Sequence, residues 1–442
     1  MSDHFLVGRK TLSLLFLLLV EGAQLSHALS SDNNADHSLL YSAWDDVSWA
    51  VWDVKLSNLL GSDKQELYDS HIQRCREAAG EKDSADAHCY VDEYHRMQMN
   101  MFQPRSMYNY TELGFTKLRA PKELYGKLKT FWELNRDEGG EIEWDNKISP
   151  YHNHWDTPPT FIKIQDQRYP MGGPDLAAAV SDEVRKVLEE WTGQFLSGSS
   201  VYGIRIYHND SILAPHTDRL PLITSAIINV DQDVDEPWPL EVYDHNGVAH
   251  NITMEPGDMV LYESHSVIHG RPFPMRGKFF ANIFVHFEVL GDRTATELPK
   301  SGGLPPYLIP GSSWEPEYWK DFPNGWNVLD NIEDIVAQGD LRTLQYIVER
   351  RPEAARAVLD GKTGWAPIHE AIRGLHFNIL QYLVDTVGVD VNQPFYVPFP
   401  VNPLDLAFAQ ILDKKHPIFQ FLLSHGAEQS PVTKKALHSA VH

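Results

Sequence analysis

The stretch YGIRIYHNDSILAPHTDR, residues 202–219, determines how the centre of the chain is interpreted. From residue 201 onward the apolar side chains recur with a period of two, as they do in a β-strand. The stretch ends in His216 and Asp218, whose side chains point to the same side of an extended backbone. An imidazole and a carboxylate together suit a first-row metal such as Fe(II). A surface hydrogen bond between the two is the ordinary alternative, so the metal interpretation requires a third ligand.

Candidates for that third ligand lie downstream. The segment ESHSVIHGRPFPMRGKFFANIFVHFE, residues 263–288, contains His265 and His269, followed by Lys278 at the start of a strand. Two histidines and one carboxylate form a facial triad, which leaves metal positions open for a chelating co-substrate and dioxygen. A chelating keto acid also needs a cation for its far carboxylate, and Lys278 could supply that charge.

These residues resemble the prolyl 4-hydroxylase-like family of Fe(II)- and 2-oxoglutarate-dependent dioxygenases, over residues 105–290. Tyr207 lies nine residues before His216 and Pro215 directly before it, as in the family's Tyr…Pro-His-x-Asp run. The segment KFFANIF, residues 278–284, matches the family's Lys-x-x-Ala/Ser-Asn-x-aromatic run. The segment EPGDMVLY, residues 255–262, is similar to the strand entry before the distal histidine.

The resemblance implies that His216, Asp218 and His269 hold Fe(II). It also implies that Lys278 pairs with the far carboxylate of 2-oxoglutarate and that Tyr207 hydrogen-bonds the same co-substrate. Ascorbate is expected as a further cofactor. Because the histidine ligands must be neutral, iron binding is expected to weaken at acid pH.

Two assignments have alternatives. His265 competes with His269, which is preferred because it directly precedes the Gly-Arg-Pro turn and lies closer to the lysine strand. The gap from His269 to Lys278 is nine residues, one fewer than the resemblance leads us to expect. Arg271 and Arg276 are therefore alternatives to Lys278 for the carboxylate.

The activity implied by the resemblance is hydroxylation of a protein side chain, with peptidyl proline the expected target. Lysine, another residue or a glycan are alternative targets. Two other classes of function compete with this one. The first is a catalytically inactive binding module, against which the intact triad and its lysine count. The second is zinc-dependent hydrolysis, in which Tyr207 and Lys278 have no evident role.

The fold class expected is α+β: a double-stranded β-helix, or jelly roll, with supporting helices, followed by an all-α domain. Short strands in close order, separated by turns such as Asp-His-Asn-Gly, favour a jelly roll over βαβ units. Helical patterns occur at residues 121–135 and 174–193. The strands expected in order are GIRIYH, LITSAIINV, LEVYD, VAHNITM, DMVLYE and KFFANIFVHFE.

The helical pattern returns after residue 330 and repeats. VAQGDLRTLQYIVE at 336–349 parallels AIRGLHFNILQYLV at 371–384, and a third unit covers 401–427. Two units open with GWAPIHEA and NPLDLA, and this period and opening resemble ankyrin repeats. Such repeats would recruit substrate or a partner protein; a small irregular helical domain is the alternative.

The ends of the chain and its charge suggest a location and partners. Arg9 and Lys10 precede an apolar run at 11–20, which indicates a signal peptide with cleavage after Ala28 and a route to the endoplasmic reticulum lumen or secretion. An uncleaved membrane anchor is the alternative, and no membrane span is expected after cleavage. The net charge of −23 argues against nucleic acid as a partner. The expected partner is a protein or peptide substrate.

Other features agree with a secretory route. Cys75 and Cys89 can pair in an oxidising compartment, with two free thiols as the alternative. Asn109, Asn209 and Asn251 each begin a glycosylation triplet. The division of the chain expected from these patterns is signal peptide 1–28, helical region 29–104, jelly roll 105–292, Pro/Gly/Trp-rich linker 293–330, ankyrin-like repeats 331–430 and tail 431–442.

Overall fold

The strands of the central region form two antiparallel sheets. The computed structural model describes residues 65–79, 83–138, 140–142, 149–411 and 415–430; the predicted signal peptide 1–28 and tail 431–442 lie outside the described residues. The strands are β1 (Phe115–Arg119), β2 (Glu141–Ile142), β3 (Thr160–Lys163), β4 (Gln194–His208), β5 (Leu213–His216), β6 (Thr224–Val234), β7 (Leu240–Tyr243), β8 (Ala249–Ile252), β9 (Asp258–Tyr262), β10 (His269–Arg271), β11 (Gly277–Asp292), β12 (Phe395–Tyr396) and β13 (Pro400–Val401).

The larger sheet has seven strands in the order β1-β9-β6-β11-β4-β3-β2, and the smaller has four in the order β5-β10-β7-β8. An apolar layer fills the space between them, built from side chains such as Ile227, Val242 and Phe280. Along β6, Ile227 faces this layer while Ala226 and Ile228 face the helices, so the strand is buried on both sides. The prediction of an antiparallel jelly roll with supporting helices is confirmed.

Helices surround the sheets. Their bounds are α1 (Gln65–Ala79), α2 (Asp83–Ser106), α3 (Lys122–Asn135), α4 (Pro174–Thr192), α5 (Glu315–Asp321), α6 (Ile332–Ala337), α7 (Leu341–Arg350), α8 (Pro367–Arg373), α9 (Phe377–Gln381), α10 (Pro403–Gln410) and α11 (Pro417–Ser424), with short 3₁₀ turns at Val328–Asn331 and Pro352–Arg356 and a π-turn at Tyr382–Thr386. Among the residues that the structure describes, no helix is long and apolar enough to cross a bilayer.

Helices α3 and α4 cover the outer face of the larger sheet. Val180, Val184 and Leu188 of α4 recur at a spacing of four residues and are fully buried, as an amphipathic helix requires. Gly193 ends α4 in the left-handed conformation, with φ of 70°, which a residue without Cβ adopts at low cost. The chain then enters β4, which carries Tyr207 into the layer between the sheets.

Helices α1 and α2 form an N-terminal hairpin that packs on β5. A disulfide between Cys75 and Cys89 joins the two helices, and Trp155 packs against it. Tyr68 and Ile72 of α1 pack on Ala214 of β5. The hairpin therefore lies directly behind the strand that carries His216.

The C-terminal helices continue the core of the jelly roll. Phe195 of β4 stacks on Tyr346 of α7 with ring centroids 3.6 Å apart, and the buried Arg185 of α4 forms an ion pair with Asp340. In the linker before them, the Trp326 Nε1 donates a hydrogen bond to Glu288 Oε1 of β11 at 2.9 Å. Helices α6 to α11 follow as successive pairs, with α8 packed against both α6 and α10.

A candidate metal centre

The pairing of β5 with β10 brings two histidines together. The strands run antiparallel with His216 opposite His269, and the centroids of the two rings are 4.5 Å apart. Gly270 permits this approach, because a Cβ there would lie 2.7 Å from Pro215 Cα. The close pairing of these short strands therefore sets the distance between the two imidazoles.

Asp218 completes the group. Its Oδ1 lies 3.5 Å from His216 Nε2 and 3.8 Å from His269 Nε2. One ligand atom from each of the three residues lies within 4.8 Å of the other two. Three such atoms can contact a single first-row metal ion and leave one side of it open. The structure thus brings together the three residues for which the sequence predicts metal binding.

Backbone carbonyls fix the orientation of both imidazoles. The Nδ1 atom of His216 lies 2.8 Å from the carbonyl oxygen of Ala214, and that of His269 lies 3.0 Å from the carbonyl oxygen of Val267. Each Nδ1–H therefore donates, which leaves the Nε2 lone pair directed towards Asp218. Burial lowers the pKa of His269 to about 3, so its imidazole is neutral at physiological pH.

Asp218 is held by its main chain and by a third histidine. Its amide donates to the carbonyl oxygen of Ser264 at 2.7 Å, and its Oδ2 lies 3.4 Å from His286 Nδ1. Burial alone would raise the pKa of Asp218, but the adjacent imidazoles of His216, His286 and His269 outweigh it and hold that pKa well below its usual range. The carboxylate is therefore ionised.

The position of His286 is set by a chain of hydroxyl groups. Ser264 Oγ donates to the carbonyl oxygen of Leu222 at 3.1 Å, so the Ser225 hydroxyl donates to Ser264 Oγ at 2.7 Å. Ser225 Oγ is then free to accept from His286 Nδ1 at 2.6 Å. His286 is not predicted from the sequence, because it shares the core strand β11 with apolar neighbours and has no motif around it.

His265, the alternative to His269, lies elsewhere. Its Nδ1 lies 2.7 Å from the carbonyl oxygen of Ile223, and its ring stacks on Tyr110 at 6.2 Å. The converging group contains His269 and does not contain His265.

Beyond the triad, a fully buried cation lies in the layer between the sheets. Arg271 follows His269 by two residues on β10 and is fully buried. Its guanidinium carbon lies 5.0 Å from the ring centroids of both Trp238 and Phe280. Within the described part of the chain, its Nε and Nη1 have no hydrogen-bond acceptor, while Nη2 lies 3.8 Å from the sulfur of Met254. Burial lowers the pKa of Arg271 to about 10.

The structure does not place Lys278 in this layer, which corrects the prediction of Lys278 as a cation inside the site. The Lys278 side chain is 80% exposed, and its Nζ pairs with Asp233 Oδ2 at 2.7 Å. Strand β11 begins at Gly277, and its side chains enter the interior only from Phe280 onward. Arg276, the other alternative, pairs with Asp210 at the surface. Of the three cations named by the sequence, Arg271 alone is buried beside the triad's strand.

Tyr207 of β4 lies inside the jelly roll. It is fully buried, stacks on His152 at 5.6 Å and meets the Trp238 ring at 5.0 Å. Its phenol oxygen lies 3.4 Å from Arg205 Nη1. Nearby on β11, Asn282 is fully buried, and neither polar atom of its amide has a hydrogen-bond partner among the described residues.

Comparisons with known proteins add the following. No family model and no curated protein matches the chain. Solved structures to which it is similar include a prolyl-4-hydroxylase from Pseudomonas putida, at 15% identity over 40% of this chain and 92% of that one, with a TM-score of 0.31. Another is an oxidoreductase of the 2OG-Fe(II) oxygenase family from Burkholderia pseudomallei, at 11% identity over 40% of this chain and 84% of that one, with a TM-score of 0.30.

A third is a prolyl hydroxylase from Trichoplax adhaerens in complex with a hypoxia inducible factor oxygen degradation domain peptide fragment. It is similar at 10% identity over 51% of this chain and 94% of that one, with a TM-score of 0.31. Similarity at this level does not place the chain in a family. The metal site therefore rests on the geometry of His216, Asp218 and His269.

Proposed function

We propose that the chain is an Fe(II)- and 2-oxoglutarate-dependent dioxygenase that hydroxylates a protein side chain. One observation carries the proposal: two histidines and an ionised aspartate converge within 4.8 Å, and strand β10, which carries His269, continues to a buried guanidinium that has no anionic partner among the described residues. The triad suits iron, and the guanidinium suits a second anionic ligand.

The residues of the triad fit a divalent metal. Both Nε2 atoms present lone pairs, because both Nδ1–H groups are occupied by backbone carbonyls. Three protein ligands with one negative charge leave room for a chelating co-substrate, as is typical of non-haem Fe(II) sites. His216 and Asp218 have side-chain exposures of 13% and 12%, against 3% for His269. A metal held by these three residues would have its open side towards the exterior, past His216 and Asp218.

Arg271 fits the far carboxylate of 2-oxoglutarate. A buried, unpaired cation is costly, because the interior solvates charge poorly. A carboxylate that accepted from the vacant Nε–H and Nη1–H would remove that cost. The surrounding rings of Tyr207, Trp238 and Phe280 exclude water and strengthen the pairing.

When bound, iron and 2-oxoglutarate supply the oxidative chemistry, in which dioxygen is consumed, 2-oxoglutarate becomes succinate and carbon dioxide, and a hydroxyl group is placed on the substrate. The protein's residues hold these groups and exclude water. Tyr207 and Asn282 lie in the same buried layer and offer further hydrogen bonds to the co-substrate. We place peptidyl proline first among substrates on the resemblance of the sequence motifs, with ascorbate keeping the metal reduced.

The C-terminal helices are proposed to be ankyrin-like repeats that recruit substrate or a partner. His369 supports this: its Nδ1 accepts from the Ala366 amide at 3.0 Å, and its Nε2 donates to the carbonyl oxygen of Gln393 at 2.8 Å, which ties one helix pair to the next connection. The hairpin β12–β13 exposes Tyr396 and Phe399, each more than half accessible. The buried Cys75–Cys89 disulfide supports a location in the secretory pathway.

Anaerobic addition of Fe(II) and 2-oxoglutarate to the purified protein tests the proposal. We expect a weak visible charge-transfer band that is absent in His216→Ala. A peptide library incubated with Fe(II), ascorbate, 2-oxoglutarate and air should then gain one oxygen atom per modified peptide, located by mass spectrometry. Absence of the band in the wild-type protein contradicts the proposal, and modification at residues other than proline corrects the substrate.

A further inference from the structure

Helix α2 contacts the backbone that carries two of the proposed metal ligands. Arg96, Asn100 and Gln103 lie at i, i+4 and i+7, on one face of the helix, and all three are buried. Their polar atoms are directed to the main chain of residues 215–218 and 265. None of these contacts involves the side chains of the triad.

Asn100 bonds to the backbone on both sides of His216. Its Nδ2 donates to the carbonyl oxygen of Pro215 at 3.0 Å, and its Oδ1 accepts from the Thr217 amide at 2.9 Å. Strand β5 is the edge of the smaller sheet, and among the described residues an isolated bridge between His152 and Leu213 covers only the beginning of its outer side. The Asn100 amide, together with a hydrogen bond from Arg96 to the Pro215 carbonyl, supplies backbone partners beyond that bridge.

Gln103 links the loop that contains Asp218 to the segment that precedes strand β10. Its Nε2 donates to the carbonyl oxygens of Asp218 and His265, at 2.8 Å each. Two carbonyl acceptors require both N–H groups of the amide, so its orientation is determined. The Asp218 amide also donates to Ser264, so the residue is anchored to the same segment twice.

The rest of the hairpin keeps α2 in this position. Tyr68 and Ile72 of α1 pack on Ala214, the residue before Pro215. The Cys75–Cys89 disulfide then links α1 covalently to α2. The buried guanidinium of Arg96 is neutralised by Glu93, with Nη2 and Oε1 2.6 Å apart. The hairpin thus supplies a rigid support behind the edge strand.

We propose that Asn100 and Gln103 are positioning residues for the metal site, which hold the backbone of His216 and Asp218 in the ligating geometry before metal arrives. The inference rests on the proposed metal site. An edge strand and its following loop would otherwise sample other conformations, and the cost of ordering them would be subtracted from the affinity for metal.

Titration of the metal-free, full-length protein with Co(II) tests this, by calorimetry and by visible absorption. Gln103→Met keeps the length of the side chain and removes both donors. Asn100→Asp keeps the size and the acceptor for Thr217, but turns an anionic oxygen towards the Pro215 carbonyl. Gln98→Met is the matched control, because the Gln98 amide donates to the Tyr94 hydroxyl at the exposed side of the same helix. We expect both site variants to bind Co(II) about 10- to 100-fold more weakly, as for outer-shell changes in general, and Gln98→Met to bind it as the wild type does.

The outcomes separate the two claims. If the wild type binds no Co(II), or His216→Ala binds it equally well, the proposed metal site fails. If the wild type binds Co(II), His216→Ala does not, and Gln103→Met and Asn100→Asp match Gln98→Met, the positioning role fails while the metal site stands. Thermal unfolding of the metal-free variants distinguishes a purely structural role, which lowers stability and leaves Co(II) affinity unchanged, and that result also overturns the inference. Asn100→Asp decides the question by itself where Gln103→Met does not fold.

Discussion

Replacing Arg271 with methionine should change stability and co-substrate binding in opposite directions. The guanidinium is fully buried among the rings of Tyr207, Trp238 and Phe280, and no carboxylate among the described residues pairs with it. Methionine has a similar length and no charge, so it fills the same space in apolar surroundings. In the absence of ligand, the substitution removes an uncompensated buried charge.

The size of the stability effect follows from the pKa. Burial lowers the pKa of Arg271 to about 10 from an ordinary value of roughly 12.5, which corresponds to ~3 kcal/mol at 1.36 kcal/mol per unit. Cation–π contacts with the Trp238 and Phe280 rings, at 5.0 Å, offset about 1–2 kcal/mol of this destabilisation. Ligand-free Arg271→Met should therefore be ~1–2 kcal/mol more stable than the wild type. Because burial depresses the folded-state pKa of Arg271, the charge destabilises the fold fully below that pKa, and the destabilisation declines only as pH rises through and beyond about 10. The difference in stability between the two proteins is therefore complete at pH 7.

The binding effect has the opposite sign. Removing one partner of a buried ion pair costs about 3–5 kcal/mol, so 2-oxoglutarate should bind at least ~100-fold more weakly. Calorimetry of the Co(II)-loaded protein measures this, and thermal unfolding with and without 2-oxoglutarate provides a second reading. Lys278→Met is the control: its side chain is 80% exposed, and the change should leave 2-oxoglutarate affinity unaltered.

Retention of wild-type affinity for 2-oxoglutarate by Arg271→Met would show that the guanidinium does not bind the co-substrate. If Lys278→Met lost affinity for 2-oxoglutarate, Lys278 rather than Arg271 would be the partner of its far carboxylate. A large loss of stability in ligand-free Arg271→Met would show that the guanidinium is paired in solution.

Three further predictions concern the surroundings of the site. Burial lowers the pKa of His71 to about 4, so protonation favours unfolding as pH falls below the unfolded-state pKa of about 6.5. Between pH 7 and pH 5 the free energy of unfolding, measured in urea, should fall by ~2 kcal/mol more for the wild type than for His71→Gln. Equal losses in the two proteins would contradict this. Gly270→Ala should weaken Co(II) binding, because its Cβ would lie 2.7 Å from Pro215 Cα, whereas Gly126→Ala, with no atom near the new Cβ, should leave binding unchanged and stabilise helix α3 by about 0.5–1 kcal/mol. Asp340→Ala leaves the half-exposed Asp182 as the acidic partner of the buried Arg185 and removes the cap of α7, so it should cost about 2 kcal/mol of folding free energy and make α7 sensitive to protease. Wild-type resistance to protease would argue against that role.

Much of the jelly roll follows from local sequence. The period-two runs from residue 203 to residue 288 predict the long strands β4, β6 and β11, because alternation reports which face of a strand is buried. The short strands β5 and β10 have too few residues for a period to be seen. Their pairing, which places His216 opposite His269, depends on contacts between distant segments.

The cation shows why motif order alone misleads. The matched run at 278–284 suggests Lys278, but whether that side chain points inward depends on the conformation of the turn at 272–276 and on where β11 meets the sheet. Once β10 is known to be a strand, Arg271 falls on the same side as His269, because residues two apart share a side and Arg271 follows His269 by two.

The role of helix α2 could not be predicted at all. Asn100 and Gln103 are polar residues in an amphipathic helix, and such residues usually face water. Only the position of β5 at the sheet edge gives their amides a partner. The same holds for His286, whose use depends on the two serines brought next to it by the fold.

The continuous core between the jelly roll and the C-terminal helices has a geometric consequence. Phe195 stacks on Tyr346, and Arg185 and Glu288 tie α4 and β11 to the segments that follow. If a substrate polypeptide binds to those helices, the distance from its bound segment to the metal site is therefore fixed. The residue that is hydroxylated would then be determined by its separation in sequence from the bound segment.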